Sequence, residues 1–179
     1  MSSPTPPSSR GADAAATVVV VMGVAGSGKT TVGTALAVAL GWTFVDADDH
    51  HPPASVAKMA RGEPLDDADR APWLDELRGI IADALVRGAG LVMACSALKQ
   101  RYRARLAGGD GGGRVSFAHL VGPPELFRSR LAQRAGHFMK PAMLDSQLAT
   151  LEPPSDAVAV DATQPVAAQV TEIRGALGL

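Results

Sequence analysis

An α/β fold, a five-stranded parallel sheet flanked by helices, is predicted by three features of the 179-residue sequence. The first is a set of short aliphatic runs, led by Thr17-Val18-Val19-Val20-Val21-Met22. Their unbroken apolar character marks strands buried on both faces. The second is that these runs alternate with stretches whose apolar residues recur every three or four positions, the spacing of one helix face. The third is a glycine-rich turn between the first run and the first helical stretch. Such alternation selects right-handed crossovers and puts ligands at the carboxyl ends of the strands.

In order, the run Thr17 to Met22 is the first strand. Val32, Leu36, Ala39 and Leu40 form one face of the first helix, and Gly41 ends it. Trp42 to Val45 reads as the second strand, running into Asp46-Ala47-Asp48-Asp49, and His51-Pro52-Pro53 opens another helix. Trp73, Leu74, Leu77, Ile80, Ile81, Ala84 and Leu85 define a long helix. Leu91 to Cys95 is the third strand, followed by a basic helix from Ala97 to about Leu106. Gly108 to Gly113 reads as a surface turn that shapes no site. Val115 to Val121 is the fourth strand, Pro123-Pro124 starts a helix, and Ala157 to Val160 is the fifth strand. Val166, Val170, Ile173 and Leu177 line the last helix. Residues 1–16, rich in Ser, Pro and Ala, read as a disordered leader, and 17–179 as a single domain.

Composition removes several classes of partner. With 17 Lys+Arg against 18 Asp+Glu, the net charge is -1, so no global field draws nucleic acid or an anionic membrane. Aromatic residues at 4% are too few for a base-stacking surface. One cysteine, Cys95, makes no internal disulfide, which points to a reducing, cytoplasmic setting. No apolar run reaches the roughly 18 residues of a membrane span.

Gly23-Val24-Ala25-Gly26-Ser27-Gly28-Lys29-Thr30 satisfies G-x-x-x-x-G-K-[ST] at every fixed position. In this P-loop pattern the backbone N–H groups wrap a polyphosphate and the following helix directs its positive end at the same charge. Residues Gly23 to Thr30, with Thr31, are therefore the expected ATP-binding set. Lys29 reaches the β and γ phosphates and the Thr30 hydroxyl meets Mg²⁺. A dinucleotide fingerprint fails, because Thr31 stands where its third glycine belongs.

The strand ending in Cys95-Ser96 lacks the acidic residue that holds Mg²⁺ in switch GTPases and motor ATPases, and no guanine-reading motif is present. Small-molecule kinases become the leading class. Asp46-x-Asp48 follows the second strand, so one carboxylate can hold the metal while the other orients an attacking alcohol. The alternative is a solvated helix-entry cluster. Arg128, Arg130, Arg134, His137 and Lys140 form a late cationic set suited to a small lid over the transferred phosphoryl group. Arg130 and Arg134 are its catalytic candidates, and Arg128 reads as solvated surface.

With these residues in view the chain resembles the gluconokinase family of P-loop kinases. The resemblance rests on the phosphate loop, Asp46-Ala47-Asp48 with His51-Pro52, Lys58 to Leu65, and Asp69-Arg70-x-Pro72-Trp73-Leu74. It rests also on Cys95-Ser96-Ala97-Leu98-Lys99 with Tyr102-Arg103, Gly136-His137-Phe138, and Ser146-Gln147 followed by Leu151-Glu152. It implies an adenylate- and shikimate-kinase-like fold, ATP and Mg²⁺ as cofactors, D-gluconate as partner, 6-phospho-D-gluconate as product, and a homodimer. Asp48, His51, Arg70, Ser96, Lys99, Arg103, His137 and Gln147 are then the substrate-binding candidates, and Thr30 and Asp46 those for the metal. Lys99 and Arg103, four apart on a helix, are suited to the gluconate carboxylate, with a solvated basic face as the alternative. Ser96 reads as helix N-cap, ligand, or both. Ser55, Asp49-His50 and Asp66 depart from the family pattern, and Asp66 is still able to cap the helix after it.

Overall fold

The computed structural model describes residues 17–109, 113–133 and 141–179. The expected leader, Arg134, His137 and Lys140 lie outside the described residues. Five strands, β1 (Val18–Met22), β2 (Thr43–Asp46), β3 (Leu91–Ala94), β4 (Val115–Val121) and β5 (Val158–Asp161), pair in the order β2-β3-β1-β4-β5. All pairings are parallel. Helices α1 (Lys29–Leu40), α2 (Pro53–Ala60), α3 (Asp67–Arg87), α4 (Gln100–Ala107), α5 (Pro124–Ala132), α6 (Pro141–Thr150) and α7 (Val166–Leu177) connect and cover them.

The first strand lies at the centre because it is apolar at every position. Val18 to Met22 are each 0% exposed, and alternate side chains enter two cores. Val18, Val20 and Met22 meet Trp73, Leu74, Leu77 and Ile81 of α3 on one face. Val19 and Val21 meet Leu36 of α1 and Ile173 of α7 on the other. Full burial of such side chains stabilises by roughly 1.5–3 kcal/mol each. The sheet is thus sealed on both faces, and its carboxyl edge is the surface left for chemistry.

Local signals set the helix ends. Asp66 accepts from Asp69 N at 2.8 Å and Asp69 returns a bond to Asp66 N at 2.9 Å, a complete capping box for α3. Ser96 caps nothing: α4 begins only at Gln100, with Lys99 at its N-cap, because Ala97 turns the chain at φ 45° first. Gly108 does have a job. It closes α4 at φ 80°, and a Cβ there would stand 2.0 Å from the Arg78 guanidinium. Two elements lacked a sequence prediction, the 3-10 turn Ala47–His50 and α6.

Candidate active site

The phosphate loop leaves β1 and opens α1, as a P-loop must. Gly26 is held at φ 79°, and any Cβ there would lie 2.6 Å from Phe127 O, so only glycine lets the loop pass under α5. Gly28 caps α1 at φ 101° without a side chain, which leaves the helix's first N–H groups for a ligand. Lys29 donates to Val24 O at 3.2 Å, folding back across the loop that it is to serve. Ala25 N donates to Gln147 Oε1 at 2.7 Å, tying α6 to the loop. Gln147, expected to touch substrate, is therefore in contact with the phosphate loop.

Beside the loop, Thr30 Oγ1 donates to Asp46 Oδ2 at 2.7 Å. Asp46 also accepts from Asp48 N at 3.1 Å, which starts the 3-10 turn and aims Asp48 outward. A hydroxyl and a carboxylate in contact next to a phosphate loop fit Mg²⁺, which keeps several waters and takes its remaining ligands from phosphate oxygens. Among the described residues no group of three or more His, Cys, Asp or Glu forms a metal cage.

Beneath it lies Cys95, fully buried. Burial pushes its thiol up to about 12, with Asp48 and Asp46 adding to the shift and Lys29 opposing it. The same three charges therefore bear on one point, and the thiol stays protonated and inert.

Across from the loop, His51 stacks on Trp73 with ring centroids 4.4 Å apart and 11° between planes. Trp73 is anchored through Nε1 to Ala47 O at 2.8 Å, so its core position also orients the histidine. Burial lowers the His51 pKa; Asp48, 3.8 Å from Nε2, opposes this and Arg70 reinforces it. The ring is neutral, with Nδ1 buried and unpartnered. It can therefore accept or donate to a hydroxyl. Arg70 donates to Leu65 O at 2.5 Å rather than pairing with the acidic residues around it. Asp48, His51 and Arg70 thus converge beside Thr30 and Asp46.

The Lys99 and Arg103 pairing fails. Lys99 turns to Asp67 at 3.0 Å, where Arg101 and the Tyr102 hydroxyl also donate, holding the Asp67 carboxyl well below the usual range. Arg103 is 3% exposed and points into the core. Its guanidinium donates to Ala97 O at 3.0 Å, Leu98 O at 3.2 Å and Gln100 Oε1 at 2.7 Å. Four residues of spacing would align them on a helix face, but Lys99 precedes the helix, so the two separate. Ser96 remains half-buried in the loop after β3. Arg128 pairs with Asp145 at 2.5 Å and Arg105 with Asp75, both on the exposed surface.

Arg130 is also placed differently from a closing finger. Its Nη1 donates to Ser27 O at 3.2 Å and its Nη2 to Ala162 O at 2.7 Å, bridging the phosphate loop to the end of β5. It is part of the wall of a cleft of about 580 Å³ that runs from Ser27 and Gly28 past Thr31 to Thr163, Pro165 and Val166. Both terminal nitrogens donate to carbonyls in this arrangement. Sequence reasoning named Thr31 but missed the post-β5 residues, which are short, polar and outside any motif.

The AAA domain family matches residues 18–154. Gluconokinase from Gluconobacter oxydans (strain 621H) is 50% identical over 138 residues, 77% of this chain and 76% of the relative. The probable gluconokinase of Xenopus tropicalis is 45% identical over 174 residues, 88% of this chain and 92% of the relative. A crystal structure of a gluconokinase from Sinorhizobium meliloti 1021 aligns with a TM-score of 0.78 at 42% identity, covering 90% of this chain and 91% of that one. With gluconokinases 45–50% identical to it over more than two thirds of both chains, and a solved gluconokinase of the same fold, the chain belongs to the gluconokinase family of P-loop kinases.

Proposed function

We propose that residues 17–179 form a single kinase domain that transfers the γ-phosphoryl group of ATP to the terminal hydroxyl of D-gluconate, giving 6-phospho-D-gluconate and ADP. The observation that carries the reading is the Thr30–Asp46 contact beside the P-loop, with Asp48, His51 and Arg70 facing it. The loop N–H groups and Lys29 bind the polyphosphate and offset charge that develops as the γ-phosphoryl group moves. Asp48 accepts the proton of the terminal hydroxyl as that oxygen attacks the γ-phosphorus and the bond to the β–γ bridging oxygen breaks. His51, neutral and stacked on Trp73, bonds a substrate hydroxyl, and Arg70 with Lys99 supplies positive charge for the carboxylate. Gln147 keeps the loop lip in place, with Arg134 and His137 as the further candidates for contact with the transferred phosphoryl group and the substrate. Thr30 and Asp46 would hold Mg²⁺, which neutralises the β and γ oxygens.

A cytoplasmic location and a homodimer complete the proposal. No described helix is long and apolar enough to cross a membrane, and light scattering tests the dimer. The function is tested by a coupled ADP-release assay with and without gluconate. Gluconate-dependent release is expected, abolished in Lys29→Ala and Asp48→Asn variants that keep the native melting profile. Full turnover by Asp48→Asn would remove Asp48 from the mechanism, and ADP release indifferent to gluconate would remove the acceptor.

A further inference from the structure

The turn between β3 and α4 is held in a shape that its own residues do not favour. Ala97 sits at φ 45°, in the left-handed region where a Cβ is strained and which persists only when the surroundings over-determine it. Two residues on, Lys99 is the N-cap of α4 and makes no side-chain cap bond. Ser, Thr, Asp or Asn there would satisfy a helix N–H, whereas a cation faces the positive end of the helix dipole. The cap comes instead from Glu152, just past α6. Its Oε2 accepts from Gln100 N, the first N–H of α4, at 2.6 Å across 52 residues of sequence, and its own N donates to Leu98 O at 2.9 Å. Arg103 donates to Ala97 O at 3.0 Å and to Leu98 O at 3.2 Å from the core side. The turn is clamped from two directions.

What this arrangement achieves follows from what a local cap would remove. A capping side chain at position 99 would take the place of the lysine. That lysine has a defined setting: Nζ meets Asp67 Oδ1 at 3.0 Å and lies 5.6 Å from the centroid of the Tyr102 ring. The Arg70 guanidinium carbon lies 5.8 Å from the same centroid, so the two cations assigned above to the gluconate carboxylate share one ring. We propose that Glu152 is a positioning residue for the acceptor: by capping α4 from outside it leaves position 99 to a cation, fixes where that cation stands, and so sets the affinity for gluconate without setting that for ATP. Glu152 itself touches no substrate. The inference rests on the acceptor reading given above, in which Lys99 faces the gluconate carboxylate.

Steady-state kinetics of the full chain and its Glu152→Ala and Glu152→Gln variants test it, with thermal unfolding alongside. Glu152→Ala is expected to raise the gluconate KM about fivefold, the scale of one lost helix cap, with the ATP KM and kcat within about twofold of wild type. Glu152→Gln keeps an acceptor oxygen of the same reach and should restore most of the gluconate KM. Tm should fall by about 2–4 °C in Glu152→Ala, but by about 1 °C or less when the same change is made in Lys99→Asn, which supplies its own cap. An unchanged gluconate KM in Glu152→Ala would overturn the proposal. So would equal rises in the gluconate and ATP KM, the mark of a general loosening, or a Glu152→Gln protein no better than Glu152→Ala. Wild-type protein without gluconate-dependent ADP release would overturn the acceptor reading and this inference together, whereas normal wild-type turnover with an unmoved KM in the variants overturns this inference alone.

Discussion

Replacing Arg103 by Met distinguishes a structural cation from a substrate-binding one. The guanidinium makes three hydrogen bonds inside the protein, two of them to the carbonyls of Ala97 and Leu98 that shape the turn between β3 and α4. Leu98 O keeps a second donor, Glu152 N at 2.9 Å, so its loss is partial, while no other bond to Ala97 O is seen among the described residues. Hydrogen bonds from a charged donor are worth roughly 1.5–3 kcal/mol each, and an orphaned buried carbonyl costs about 1–3 kcal/mol. Against this, burial already lowers the Arg103 pKa, and its Nε is unpaired, so removing the charge returns part of the loss. A net destabilisation of about 2–4 kcal/mol follows. In a domain of this length each kcal/mol moves Tm by roughly 2–4 °C, so a drop of about 4–16 °C is expected. Thermal unfolding followed by circular dichroism measures it, and steady-state kinetics at a temperature where the variant is folded give the KM for gluconate. A Tm unchanged within about 2 °C together with a tenfold higher KM would refute the argument and restore Arg103 to the substrate carboxylate.

Asp46→Asn should raise the Mg²⁺ concentration for half-maximal turnover by about tenfold, because the Thr30 contact loses its carboxylate; an unchanged Mg²⁺ titration would take Asp46 out of the metal site. Stability should fall as the pH drops below about 6.5, since burial lowers the pKa of both His51 and His119 below that ordinary value. Each is neutral when folded and protonates more readily when unfolded. Stability is therefore full above 6.5 and falls as pH drops toward the folded values, by at most ~1.4 kcal/mol per pH unit per histidine. Urea denaturation of wild type and His119→Phe at pH 7.5 and 5.5 should show a smaller acid loss in the variant, and equal losses would exclude His119 as a contributor.

The parts of the fold that were legible are those where a short segment carries its own reason. Val18 to Met22 announce a central strand by being apolar at every position, and the glycines from Gly23 to Gly28 announce a phosphate loop by spacing. Asp66 could be read as a cap because its partner Asp69 is three residues away. The failures occur where distant segments decide. Helix α6 buries Leu144 fully, and its Gln147 acquires a role only through Ala25, far away in sequence. Arg103 read as a partner of Lys99 for the substrate carboxylate because helical spacing tells nothing about a preceding turn that curls under it.

The strand order has a consequence for how the chain is made. β1 is the first strand to be synthesised, yet its ladder partners are Leu91 to Ala94 on one side and Val115 to His119 on the other. A nascent chain emerging from a ribosome therefore carries five consecutive apolar residues without a sheet partner until Leu91 to Ala94 have been made, and without the second partner until Val115 to His119 follow. That interval is when such a segment is prone to pair with another copy. The cleft beside the phosphate loop is walled on its far side by Thr163, Pro165 and Val166, which follow β5, so it is complete only once those residues have been made and docked. Ligand-assisted folding can then act only late in synthesis.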